Sequence, residues 1–194
     1  MASLPAASPN PARPAYGLLV FSPPTFLSHS NRVSILTSRG FASPEIETVA
    51  ETGDNGPLVA LANKLRARGH AKTVMGLSAP IMPAGKVSVM LRVDCINPFI
   101  SFISMIAPSP DWIVFIDNMS TLNRHGRFIN HASGRLIAYD AGVDSGGDFT
   151  PPGDASLDIP TVPPKNIAPL VEDSTDVFRR KQVGFYRITR IRGD

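Results

Sequence analysis

Hydrophobic and polar residues along most of this chain follow the short periods that are typical of β-strands. Residues 86–93 alternate one by one, which predicts a strand with one buried face and one solvent-facing side. Residues 99–106 and 112–116 are more continuously apolar and rich in Ile and Phe, as expected of central strands covered on both faces. Four further runs are strand candidates: residues 16–21, 33–36, 135–139 and 182–191.

One stretch of the chain instead has the features of helices. Ser43 followed by Pro44 is a helix N-cap with proline in the first turn, which predicts a short helix from Pro44 to about Glu51. Pro57 repeats this pattern, and Gly69 follows a basic last turn, so a second helix is expected between them. Its apolar residues fall on one face: Leu58, Leu61, Ala62 and Leu65.

The length and composition fit one β-rich domain. The chain has 194 residues, of which 19 are proline and 15 glycine, a mixture that favours short strands and loops over long helices. Residues 145–169 hold six prolines and are expected to lack regular structure. Strands without alternating helices predict an all-β antiparallel sandwich over residues 16–192, with one or two short helices inserted near residues 44–69.

The N-terminal fifteen residues differ from the rest of the chain. Residues 1–15 are rich in Pro, Ala and Ser and offer little to bury, so they are expected to form an arm outside the domain. Such an arm would suit a structural subunit of a larger multi-protein assembly, in which it clasps neighbouring chains. An extensive contact of the arm with another chain would distinguish this role from that of a solitary module.

Cysteine content and hydropathy exclude several protein classes. Cys95 is the only cysteine, so no intrachain disulfide can form, and it is expected to be a buried small apolar residue. The apolar runs are shorter than the ~18 residues that a transmembrane helix needs. The first thirty residues show no signal-peptide pattern, which leaves an intracellular or organellar assembly open.

Three aspartates are the main candidates for a functional site. Asp111 lies just before a predicted strand, and Asp140 and Asp144 flank Gly142 just after another. Three carboxylates brought to one end of a sandwich form the hard oxygen cluster that suits Ca²⁺. The alternative is that Asp140 and Asp144 are turn and capping residues. The spacing is not that of an EF-hand, because Pro151 stands where the bidentate Glu is required.

The sequence around these aspartates resembles the spondin domain family, found in F-spondin and mindin. The resemblance rests on FISMIAPSPDW (residues 102–112) and on DAGVDSG (residues 140–146), which begins 29 residues after Asp111. Supporting segments are GFASPE (residues 40–45), AETGD (residues 50–54) and FTPP (residues 149–152). The resemblance covers roughly residues 16–191, nearly the whole chain.

The resemblance implies a fold, a metal and a role. The family fold is an antiparallel β-sandwich similar to calcium-dependent lipid-binding domains, and the family's calcium ligands match Asp111, Asp140 and Asp144. The family implies an adhesion or extracellular matrix module that binds other proteins and is not an enzyme. Two features depart from the family: Tyr139 replaces a usual Trp, and residues 119–135 lack the cysteines of the animal proteins.

The charge pattern and the remaining motifs give weaker indications. The net charge is only +3, which does not by itself predict a nucleic-acid partner. The C-terminal segment is nonetheless basic and suggests contact with a polyanion, although charge that protects an exposed strand edge is the more common explanation. The histidine pair His125 and His131 lacks the cysteines of a zinc site, and no catalytic-triad order appears. The basic residues of this segment are Arg179, Arg180, Lys181, Arg187, Arg190 and Arg192.

Overall fold

The computed structural model describes residues 19–35, 40–83, 85–145, 160–170 and 182–191. Several predictions made from the sequence fall outside these residues. They concern the arm of residues 1–15, the start of the first strand candidate at residues 16–18, and part of the basic C-terminal segment, namely Arg179, Arg180, Lys181 and Arg192.

The described residues form eight strands and two helices. In chain order these are β1 (Val20–Phe21), β2 (Thr25–His29), α1 (Pro44–Thr52), α2 (Gly56–Ala67), β3 (Ala71–Gly76), β4 (Phe99–Ala107), β5 (Trp112–Ser120), β6 (His131–Asp140), β7 (Ala168–Pro169) and β8 (Gln182–Thr189). All strand pairs are antiparallel, and the main path runs β3-β2-β4-β5-β6-β7. Outside this path β1 pairs with β4, and β8 pairs with β6. The predicted all-β, sandwich-like fold with two short helices is confirmed.

Both helices form where the sequence predicts them. The amide of Ile46 donates to the Ser43 side chain at 3.4 Å, so Ser43 caps α1 as expected. Helix α2 begins at Gly56, one residue before Pro57, and ends two residues before Gly69. Neither of the helices in the described residues is long and apolar enough to cross a membrane.

Strand β4 lies at the centre of the fold because both of its faces are covered. On one face Ile103 packs in a cluster that includes residues of α1, α2 and β5. On the opposite face Phe102 and Ile106 pack with Trp112. Every residue from Ile100 to Ile106 is buried, which explains why the sequence here is mostly apolar, with Ser101 and Ser104 as its two polar residues.

Strand β6 connects two parts of the sandwich. Its last residues, from Ala138 to Asp140, pair with β5, and its first seven, from His131 to Ile137, pair with β8. A long strand that changes partners in this way turns a corner between layers. Because of this change, the end of β6 places Asp140 beside the start of β5.

The sequence analysis missed three strands, β2, β3 and the two-residue β7, and two predicted strands are wrong. Residues 86–93 do not form a strand; they follow the edge of the fold, where the main chain of Arg92 bonds only to the hydroxyls of Ser28 and Thr73. The described part of the candidate at 33–36 is also irregular. Strands β2 and β3 were missed because polar residues interrupt their pattern. In β2 Thr25, Ser28 and His29 are buried, since β2 lies between β3 and β4.

Two smaller expectations also need correction. Cys95 is exposed rather than buried, because it lies in the loop after the misassigned 86–93 segment. Within the proline-rich region, Ala168 and Pro169 form the short strand β7 against β6. Pro169 is tolerated there because β7 is at the end of the main sheet path, where one side of the strand needs no ladder donor.

Candidate metal site

The turn between β4 and β5 fixes the position of Asp111. The hydroxyl of Ser109 donates to the carbonyl of Ile106 and accepts the amide hydrogen of Trp112 at 3.0 Å. Ser109 is fully buried, so this side chain substitutes for backbone hydrogen bonds inside the turn. Asp111 is thereby held at the entrance to β5, facing the end of β6.

The carboxylate of Asp111 organises the loop that follows β6. Its Oδ2 accepts the amide hydrogen of Val143 at 2.8 Å and that of Asp144 at 3.1 Å. Its main-chain carbonyl accepts the amide hydrogen of Ala141 at 3.2 Å. Asp111 is fully buried, and the loop of residues 140–145 therefore bends around it.

Asp140 and Asp144 lie on that loop with different contacts. Asp140 Oδ1 accepts the amide hydrogen of Gly142 at 2.7 Å, which is the turn-forming bond expected of an aspartate at such a position. Asp144 forms a bridge to Pro160 in the segment after the undescribed residues 146–159. Both side chains are half-buried. The turn role considered for Asp140 in the sequence analysis is therefore present.

The segment from Pro160 to Ile167 closes over the loop from the other side. The amide of Thr161 donates to the carbonyl of Val143 at 2.8 Å, and the amide of Lys165 donates to the carbonyl of Gly142 at 2.9 Å. Nothing in the sequence indicated this contact, because the proline-rich pattern says only that the segment is irregular. The aspartate loop is thus held between Asp111 and residues 160–167.

Burial and like charge make the Asp111 carboxylate an unfavourable anion. The pKa of Asp111 is raised to about 6, first by burial and then by the negative charges of Asp140 and Asp144, while the amide hydrogen bonds from Asp144 and Val143 lower it. Asp140 and Asp144 therefore both act on Asp111 as like charges. In the described residues, however, no group of three His, Cys, Asp or Glu side chains is arranged so that it could hold a metal ion.

The residues present nevertheless fit a calcium ion in their chemistry. Asp111 Oδ1 is buried and has no hydrogen-bond partner among the described residues, while Oδ2 is fully used. A buried carboxylate oxygen without a donor is costly, and a hard divalent cation is the partner that such an oxygen prefers. Whether Asp140 and Asp144 join Asp111 as ligands stays a prediction.

A second buried polar group was missed by the sequence analysis. His29 Nε2 lies 2.8 Å from the hydroxyl of Ser101, which lies 3.3 Å from Asp117 Oδ1. The three residue types are those of a hydrolytic triad, but His29 is 0% and Ser101 1% exposed, so the hydroxyl is not at a surface that a substrate reaches. The residues lie on β2, β4 and β5, so only the pairing of these strands brings them together.

Comparison with known proteins assigns the family. The sequence profile of the Spondin_N family matches residues 9–190. Spondin-2 of Homo sapiens is 33% identical over 139 residues, which are 70% of this chain and 41% of that protein, and Spondin-2 of Rattus norvegicus gives the same figures. Spondin-1 of Rattus norvegicus is 29% identical over 150 residues, covering 74% of this chain and 18% of that protein. The chain therefore spans less than half the length of these relatives, and it belongs to the Spondin_N family.

Proposed function

We propose that this chain is a non-catalytic, calcium-binding spondin module that acts in adhesion or in the extracellular matrix by binding other proteins. The observation that carries the proposal is the buried Oδ1 of Asp111, which has no hydrogen-bond partner among the described residues and is enclosed by a loop that bears two more carboxylates. Membership of the Spondin_N family supports the extracellular setting and the absence of catalysis.

Asp111, Asp140 and Asp144 are the residues that would hold the ion. Bound calcium supplies positive charge that offsets the repulsion among the three carboxylates. Asp111 ties the start of β5 to the loop through the amides of Val143 and Asp144. The loop is hydrogen-bonded to residues 160–167. An ion that fixes Asp111 and the loop would therefore also fix the surface of this end of the sandwich. That ordered surface is where we expect a protein partner to bind.

Calcium-dependent thermal stability tests the metal site. The purified chain is melted in CaCl₂, in MgCl₂ and in chelator, and calcium at about a hundredfold excess over its Kd should raise the Tm by roughly 5–10 °C. Asp111→Asn and Asp140→Ala should abolish this rise because each removes a ligand charge. Glu47→Gln, which removes one exposed carboxylate on α1, is the matched control and should keep it.

The proposal fails if calcium leaves the Tm of the wild-type chain unchanged, or if magnesium raises it equally. The adhesion role is tested separately, by retention of the wild-type chain on a cell-derived matrix whose sulfated polysaccharides have been digested away. Retention of the wild-type chain but not of Asp111→Asn supports a calcium-ordered contact with a matrix protein. Failure of the wild-type chain to be retained overturns the adhesion role.

A structural-subunit role stays an untested alternative. It depends on residues 1–15 clasping a neighbouring chain, and these residues lie outside the described part of the structure.

A further inference from the structure

The antiparallel pair of β6 and β8 presents one side to solvent. On this side the exposed residues of β6 are His131, Ser133 and Arg135, and those of β8 are Phe185, Arg187 and Thr189. The register places Arg135 directly opposite Phe185 and Ser133 directly opposite Arg187. Arg135 and Arg187 are therefore diagonal neighbours on the outer side, within reach of a single ligand.

The inner side of the same pair is closely packed, which makes the outer side a rigid platform. Gly134 lies opposite Tyr186, and a Cβ on Gly134 would come within 2.6 Å of the tyrosine ring. The ring thus covers the glycine directly. A strand pair held in this way keeps the outward residues at fixed spacing.

The basic surface continues past the end of the strand pair. The amide of Arg190 donates to the carbonyl of Asn130 at 2.8 Å, and its guanidinium stacks over the ring of Phe128 at 5.2 Å. This contact joins the end of β8 to the connection between β5 and β6. That connection carries two more exposed arginines, Arg124 and Arg127.

Negative charge is missing from the sequence of this region. Residues 118–139 and 182–191 contain five arginines and no aspartate or glutamate. The whole chain carries a net charge of only +3, so the other residues together are acidic. The excess positive charge of the chain is therefore concentrated here, in what we name the arginine face: Arg124, Arg127, Arg135, Arg187 and Arg190.

Among the described residues, none of these arginines forms an ion pair. The salt bridge found there joins Lys72 to Asp94 on the β3 side of the fold. Five guanidinium groups without an ion pair within the described ranges raise the local positive potential. Arg124 Nε donates to His125 Nε2 at 3.1 Å and Arg190 stacks on Phe128, but each group still has N–H donors for an anionic oxygen. In the part of the chain that the structure describes, β8 pairs only with β6, so charge that protects a strand edge accounts for part of the arrangement, but Arg135 and Arg187 lie on the outer side of the pair rather than along its open edge.

We propose that the arginine face binds a sulfated polysaccharide. Guanidinium groups bind tetrahedral oxyanions through paired N–H donors, and a row of them suits a linear chain with repeated sulfate groups. Phe185 is 73% exposed beside Arg135 and offers an apolar surface to the face of a sugar ring. The inference rests on the proposed extracellular function, since that is where such polymers occur, but it uses no residue of the metal site.

Nucleic acid and anionic lipid fit this surface less well. Proteins that bind single strands stack successive bases on several large aromatic side chains, and the outer side of this strand pair offers one such ring, Phe185, besides the imidazole of His131. A membrane-binding surface needs an apolar face that enters the lipid, and here most outward side chains are charged or polar. Both polyanions therefore serve as competing outcomes in the test.

Heparin binding of the full chain tests the proposal. Kd is measured by surface plasmon resonance on immobilised heparin at several salt concentrations. Arg135→Gln combined with Arg187→Gln should weaken binding about tenfold and lower the slope of log Kd against log salt by roughly 1.5, because two arginine contacts are lost. Arg66→Gln combined with Arg68→Gln, which removes the same charge from the exposed end of α2, is the control and should change Kd less than twofold.

Further measurements identify the kind of anion that binds and show whether the variants are folded. The proposal is overturned if the Arg135/Arg187 and the Arg66/Arg68 glutamine variants lose equal affinity for heparin, or if the wild-type chain does not bind heparin. It is also overturned if single-stranded DNA or phosphatidylserine vesicles bind as tightly as heparin. Arg135→Lys combined with Arg187→Lys should recover part of the affinity, which separates charge from misfolding. Asp111→Asn in chelator should bind heparin like the wild type, so failure of the calcium site and failure of the arginine face give different results.

Discussion

Gly142 is the residue on which the shape of the aspartate loop depends. Its φ of 75° lies in the left-handed region, and a Cβ there would overlap the carbonyl oxygen of Lys165 and lie 2.8 Å from its carbonyl carbon. The amide of the same Lys165 donates to the carbonyl of Gly142, which holds residues 160–167 over the loop. A side chain at this position would therefore push apart the two segments that enclose the carboxylate of Asp111.

Gly142→Ala should lower the free energy of unfolding by about 2–4 kcal/mol, since it combines backbone strain with a backbone clash. Gly126→Ala is the matched control, because Gly126 also has a positive φ, of 70°, but a Cβ there meets nothing within 4 Å. The control should cost only the conformational strain, about 1 kcal/mol. Urea denaturation of both variants measures the difference, and equal losses would contradict the role given to Lys165.

At the residue scale the sequence predicts Asp111, Asp140 and Asp144 as metal ligands, which stays a prediction, and it does not predict the hydrogen bonds that Asp111 makes. Asp111 was singled out for its place before a strand. The sequence did not show that its Oδ2 holds the amides of Val143 and Asp144, because those bonds join residues 32 and 33 positions apart. Contacts at this separation depend on the fold rather than on any local pattern.

The position of helix α2 is fixed by its packing against strand β3. Leu58 and Ala62 on its inner side are fully buried, and a Cβ on Gly76 of β3 would overlap the side chain of Val59. The helix therefore lies directly on the β3 edge of the sheet. This close approach explains why β3 forms although its own pattern, with Lys72 and Thr73 near its start, did not predict a strand.

Leu58→Ala should destabilise the chain by about 2–5 kcal/mol, because it leaves a cavity between α2 and the other residues of its core cluster. Leu65→Ala, on the same helix at a half-buried position, should cost clearly less. Thermal or chemical denaturation gives both values. Similar losses in the two variants would show that the helix is not anchored through Leu58.

The stability of the whole molecule should depend on pH through the buried His29. Burial lowers the pKa of His29, while its bond to the Ser30 carbonyl and the charge of Asp117 oppose the shift. In the unfolded chain the imidazole regains a pKa near 6.5, so the unfolded state binds more protons below that pH. The contribution of neutral His29 to the free energy of unfolding is therefore complete above about pH 6.5. It is lost as the pH falls towards the lowered pKa of the folded state.

His29→Gln should remove this part of the pH dependence, which amounts to about 1 kcal/mol between pH 7.5 and 5.5. Burial raises the pKa values of Asp111 and Asp117, which act in the opposite direction, so the comparison is between variants at each pH. His131→Gln, at an exposed position, is the control and should keep the wild-type dependence. A wild-type slope in the His29 variant would refute the assignment.

Local patterns in the sequence are enough to predict the fold class, the central strands β4 and β5, the two helices and the family. These depend on local periodicity, capping residues and motifs that lie close together in the chain. The rest depends on tertiary structure: β2 and β3 are strands despite their polar residues, residues 86–93 are not a strand, and Arg135 and Arg187 lie diagonally across β6 and β8. The reason is that hydrogen-bond partners and burial at a sheet edge or in its interior are set by distant residues, which no local pattern contains.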